Sequence, residues 1–210
     1  MRSMLVWLVV CIGTFCAVTG TAQKAPPATA DELACRPAEL FITDDESPLF
    51  ELQADVTIAL NAAAVTGSTP VDGAFWSEGL QRTTFEHARQ FHLCVVDEPT
   101  LYNTAEALRR QFDQQAVLTF VYLPANAAET TAITITVPGI DVARFNDAFV
   151  ADSAAHHRLL GGSVTTTDRT LILVADRSDL DIARRLVAEA GGCWDDATIA
   201  YGRREFVNSA

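Results

Sequence analysis

The chain has 210 residues, 49% of them apolar and 20% charged, with a formal net charge of −12. That apolar share excludes a disordered tail, and 11 Gly with 8 Pro exclude a collagen-like or low-complexity chain. The acidic balance argues against nucleic acid, whose phosphates need a basic face, and against an anionic membrane surface.

The N-terminus has a three-part layout. Arg2 supplies a positive start, Met4 to Val18 is mostly apolar, and Gly20 and Ala22 are small residues spaced for cleavage. This is the pattern of a secretory signal peptide over residues 1–22. The run is short of the roughly 20 residues of a membrane span. The expectation is a secreted or periplasmic protein with no stable membrane span after cleavage. Residues 23–48, opening with Pro26-Pro27 among small polar residues, read as a flexible mature N-terminus.

Residues 49–124 read as an N-terminal α+β part. Phe50, Leu52, Ala54, Val56, Ile58 and Leu60 alternate with mostly polar neighbours, the period of a half-buried strand. Thr83 and Glu86 have capping-box spacing and predict a helix to about Val95. Leu101, Ala105, Leu108 and Phe112 make one helical stripe. Ala116 to Leu123 is rich in β-branched and aromatic residues and predicts a strand.

Residues 125–210 form a C-terminal part. Ile133, Ile135 and Val137 predict a strand, and Asp141 can cap a helix carrying Val142, Phe145 and Phe149. Ser163–Thr166 and Thr170–Ala175 flank a turn. Ser178 and Asp181 open another helix, and Thr198–Val207 is a final strand. The succession β-α-β-β-α-β predicts a ferredoxin-like, split βαβ unit with an antiparallel sheet. The expected fold class is therefore α+β, with a packed strand-helix-helix-strand region preceding that unit.

The chemistry is thin. His87 and His92 stand five apart on the expected helix, and His156 and His157 are adjacent, so neither pair shares a helix face. His92 and His156 each extend an apolar stripe, as half-buried histidines at helix ends do. No metal motif, nucleophile elbow or phosphate loop occurs, and no cofactor is expected. Phe75, Trp76, Trp194 and Tyr201 stand beside glycines and suggest a recognition surface, or lids over a core. After signal removal Cys35, Cys94 and Cys193 remain, which allows one bridge and one thiol. All three pairings are open. Cys35–Cys193 is favoured, because Cys94 lies in an apolar run where a thiol behaves as a small buried hydrophobe.

These readings predict a non-catalytic binding or interaction protein with an unidentified protein or small-molecule partner. The alternative is a small secreted hydrolase using His and carboxylate side chains, with Glu86 or Asp152 as candidate acids. It would gain from a deep cleft holding His92 or His156 within about 4 Å of a carboxylate.

Overall fold

The computed structural model of the chain describes residues 35–77, 82–159 and 161–208. The expected signal peptide and residues 23–34 of the expected flexible arm lie outside the described residues, while Arg36–Thr43 of that arm is a strand. Eight strands and five α-helices follow in the order β1 (Arg36–Thr43), α1 (Phe50–Leu60), β2 (Ala64–Ser77), β3 (Arg82–Val95), α2 (Glu98–Gln111), β4 (Ala116–Tyr122), β5 (Ala132–Val137), α3 (Val142–Ala151), α4 (Ser153–Arg158), β6 (Gly161–Thr165), β7 (Leu171–Asp176), α5 (Leu180–Glu189) and β8 (Thr198–Asn208). The strands hydrogen-bond in the cyclic order β1-β3-β2-β6-β7-β5-β8-β4, and β4 returns to β1. Every pairing is antiparallel.

This closed eight-stranded barrel overturns the expected fold class. There is no separate ferredoxin-like sheet with a strand-helix-helix-strand region beside it. The succession read for residues 131–207 is present, with α4 added, but its sheet continues at both sides into β2 and β4. Two local misreadings hid the closure. The alternating stretch from Phe50 is helix α1, because an every-second pattern contains an every-fourth one. Phe50, Ala54 and Ile58 make that stripe and are the buried residues. The stretch from Thr83 is strand β3, paired along its length with β2 and along Arg36–Thr43 with β1. Its Phe91, Leu93 and Val95 alternate toward a core.

Elsewhere the local chemistry matches the elements. Asp97 caps α2 by accepting from the Thr100 amide, and Asp141 caps α3 by accepting from the Ala143 and Arg144 amides. The helices cover the outside of the barrel. Leu40, Ile42, Phe91 and Leu93 meet Phe50, Ile58 and Leu108 in one outer core. Ile133, Ile135 and Leu173 meet Phe145, Phe149 and Leu186 in another. The interior holds Phe41, Val71, Ala88, Phe120, Ala132, Ile172 and Val174. An interior filled by side chains is what eight strands allow.

Cys35 bonds to Cys94, with Cα atoms 5.2 Å apart, and Cys193 is free and exposed. The favoured Cys35–Cys193 pairing is thereby corrected. Pro37 pairs directly with Cys94 in the β1–β3 ladder, so the chain entering β1 runs past that cysteine. The helix expected around Cys94 concealed this neighbour.

Candidate functional site in the barrel mouth

Alternation on β1 turns Glu39 to the same face as Phe41, into the barrel. Glu39 is 5% exposed, a rare state for a carboxylate without partners. It has two. Across the rung on β3 stands His92, whose Nδ1 is 3.5 Å from Glu39 Oε1. From β4, the Tyr122 hydroxyl donates to the same oxygen. Tyr122 also bonds Thr134 of β5. Glu39 Oε2 is buried and has no hydrogen-bond partner among the described residues.

The electrostatics follow from burial and charge. Burial, then the adjacent Glu39 carboxylate, pushes the Tyr122 phenol well above its ordinary value. It therefore stays protonated and keeps donating. The hydrogen bond to Glu39 raises the His92 imidazole against the opposing effect of burial. The His92 side chain is 42% exposed, so the dyad is buried at the acid and wet at the base. Room for the ring comes from β2, where the register shifts between Val65 and Gly67. A Cβ at Gly67 would stand 3.7 Å from His92 Cδ2. The Thr66 hydroxyl donates to the His92 carbonyl oxygen. The Cys35–Cys94 bridge lies two residues along β3 from His92.

A carboxylate holding an imidazole by Nδ1 leaves Nε2 to accept or deliver a proton. The free Oε2 can accept one more donor. Among the described residues, no group of three or more His, Cys, Asp or Glu is arranged to hold a metal. A separate cleft beside α2, lined by Tyr102, Arg203 and Glu205, encloses about 20 Å³. That is room for about one water.

The residues singled out from the sequence are dispersed. Phe75 and Trp76 lie on β2, paired with Thr84 and Thr83, and their side chains lie outside the described residues. Trp194 and Tyr201 pack against the outer core of α3 and α5. Arg184 lies 5.2 Å over the Trp194 ring and Arg177 5.7 Å over the Tyr201 ring. Both aromatics are partly buried against that core. His156 on α4 stacks edge-on to Phe149, with ring centroids 5.8 Å apart. His87 is on β3 and exposed, bonded to Asp72 with Glu46 3.4 Å away. His92 is on a strand, not at a helix end, and it alone of the two expected half-buried histidines meets a buried acid. Glu39 and Tyr122 went unnoticed as site residues. The available signal was a lone carboxylate inside Ala38-Glu39-Leu40-Phe41-Ile42, at an inward strand position.

No known family's sequence profile matches this chain, and no curated protein matches it. Among solved structures, an anthrone oxidase-like protein aligns over 85% of this chain and 96% of its own, at 9% identity and a TM-score of 0.26. An unknown protein from Galdieria sulphuraria aligns over 79% and 95%, at 13% identity and a TM-score of 0.27. A provisionally assigned monooxygenase from Lactobacillus acidophilus NCFM aligns over 82% and 96%, at 9% identity and a TM-score of 0.28. Scores this low tie the chain to none of them.

Proposed function

We propose that this chain is an exported, non-catalytic binding protein whose ligand is a small hydrogen-bond donor seated at Glu39. The observation that carries this reading is the unpartnered Oε2 of a buried carboxylate. Such an atom lacks a hydrogen bond it would have in water, so a donor that reaches it is favoured. Export is supported by the Cys35–Cys94 bridge, which persists in oxidising compartments. Among the described residues no helix is long and apolar enough to cross a membrane. The net charge of −12 leaves no basis for nucleic-acid binding.

One observation favours a second reading. His92 Nδ1 lies 3.5 Å from Glu39 Oε1, the arrangement that orients an imidazole as a general base in a hydrolase. The two readings separate by ligand-observed NMR with small phenols and alcohols, each beside its O-methylated analogue. The binding reading expects donors to bind, methylated analogues to fail, and Glu39→Gln to weaken binding. Equal binding by methylated analogues overturns it. Turnover of nitrophenyl esters that is abolished in His92→Ala establishes the hydrolase instead. N-terminal sequencing of protein recovered from its host checks export, with a start near Gln23 expected.

A further inference from the structure

The Glu39 Oε2 atom is buried, so the barrel must open locally before a ligand reaches it. The shortest way in runs along the inward faces of β1 and β3, from the end of the barrel where β1 begins. On that face Pro37 stands between Glu39 and the lip, and Cys94 stands between His92 and the lip. Pro37 and Cys94 are cross-strand partners, as Glu39 and His92 are. The Cys35–Cys94 bridge therefore ties the lip together on the face that holds the acid.

Little else holds the lip. β4 pairs with β1 from Ala38 to Phe41, so Arg36 and Pro37 are paired on one side alone, with β3. Pro37 has no N–H to give to that ladder. Both residues are exposed, whereas Ala38 and Glu39 beyond them are buried. The ion pair of Arg36 with Glu98, 3.6 Å long, is exposed at both ends and contributes little. The covalent tie is thus the main restraint on a short segment whose next inward neighbour is the buried carboxylate. Neither cysteine is fully buried, and accessible bridges are the ones that exchange with thiols.

We propose, with Glu39 read as the ligand seat, that the Cys35–Cys94 bridge is a redox gate over it, opened when a dithiol reductant frees Cys35, Arg36 and Pro37 from β3. In the opening step one thiolate of the dithiol attacks a bridge sulfur, the S–S bond breaks and a mixed disulfide forms. The second thiol then displaces the remaining cysteine. The protein gains two thiols, and the reductant leaves as a disulfide. From Ala38 onward β1 is paired on both sides, so the opening is confined to the lip.

The test compares the oxidised protein with the same protein held in dithiothreitol, both carrying Cys193→Ser so that the exposed thiol plays no part. Phenol is titrated into each and followed by ligand-observed NMR. Reduction is expected to tighten phenol binding about tenfold, as follows if the open lip is populated at about a tenth while the bridge holds. Glu39→Gln is expected to remove that gain. Amide hydrogen exchange should speed up over residues 36–39 and stay unchanged over residues 40–43. Cys35→Ser should reproduce both effects without reductant. Equal phenol binding in the two states overturns the gate and leaves the ligand reading standing. Phenol binding to neither state, with faster exchange at residues 36–39 alone, removes the ligand reading and keeps the reducible lip. Unchanged exchange overturns the gate in either case. So does loss of the folded circular dichroism on reduction, because the bridge is then a staple for the whole fold.

Discussion

Glu39 and His92 face each other across one rung of the β1–β3 ladder, the acid buried and the imidazole half in water. The bond between them links a buried charge to the pH of the solvent. Because folding raises His92 above its ordinary value, its contribution to stability is complete below pH about 6.5 and is lost as pH rises through the folded value. His92→Gln should therefore lie furthest below the native protein in stability at acid pH and approach it in mild alkali. Urea denaturation across pH 5 to 9, as an order-of-magnitude window around the imidazole range, checks this. An NMR titration of His92 that fell toward the ordinary value in Glu39→Gln would assign the cause. A difference that widened with rising pH would refute it.

Tyr122 supplies the only hydroxyl that reaches Glu39 Oε1 among the hydrogen bonds described. Tyr122→Phe leaves the carboxylate buried with less support and should destabilise the protein by about 1–3 kcal/mol. In Glu39→Gln the same tyrosine substitution should matter less, because the uncharged amide needs the donor less. Chemical denaturation of the two single variants and the double variant gives the coupling directly. Additive effects would mean that the hydroxyl does not serve the acid.

Gly202 sits where β8 passes between β4 and β5. A Cβ there would stand 2.1 Å from the Val121 carbonyl oxygen and 2.6 Å from the Phe120 ring. Gly202→Ala must push β8 away from β4 and should cost about 3 kcal/mol, the upper range for overpacking. Gly139, at φ 77°, has nothing within 4 Å of its would-be Cβ. Gly139→Ala should cost only the left-handed backbone penalty, about 1–2 kcal/mol. Thermal melts of the pair distinguish crowding from conformation, and the order of the two is the prediction.

The Cys35–Cys94 bridge closes a sequence separation of 59 residues. The chain-entropy argument assigns such a loop about 4 kcal/mol. Cys94→Ala should therefore lower the denaturation midpoint substantially, while Cys193→Ser should not. Non-reducing peptide mapping should return a Cys35–Cys94 peptide, and iodoacetamide should label Cys193 in the folded protein, where it is exposed.

Much of the second half of the barrel was readable from sequence, because its signals are local. The cap at Asp141, the Phe145 and Phe149 stripe and the alternating Ile133–Val137 strand each match what their residues prefer in isolation. In the first half α2 and β4 were equally legible, but α1 and β3 defeated the same reasoning for two physical reasons. In α1, apolar residues on both faces erase the contrast that marks a helix, and the leftover set alternates like a strand. In β3, Thr83 and Glu86 imitate a helix start, while the evidence for a strand is its pairing with β1 and β2, which is long-range. The site was lost with them. Glu39, His92 and Tyr122 come from three strands that meet only once the barrel closes. No spacing along the chain brings position 39 to 92 or to 122.

Closure has a further consequence for a protein built of so many β-branched strands. In a ring of eight each strand has two neighbours, so no described strand lies at an outer edge where a stray chain could find a full-length template. Withdrawal of any one strand would create two such templates at once, each beside exposed apolar side chains. Partial opening is thus the hazardous state for this architecture. The bridge that ties the start of β1 to the end of β3 guards one of the ring's own joints against it.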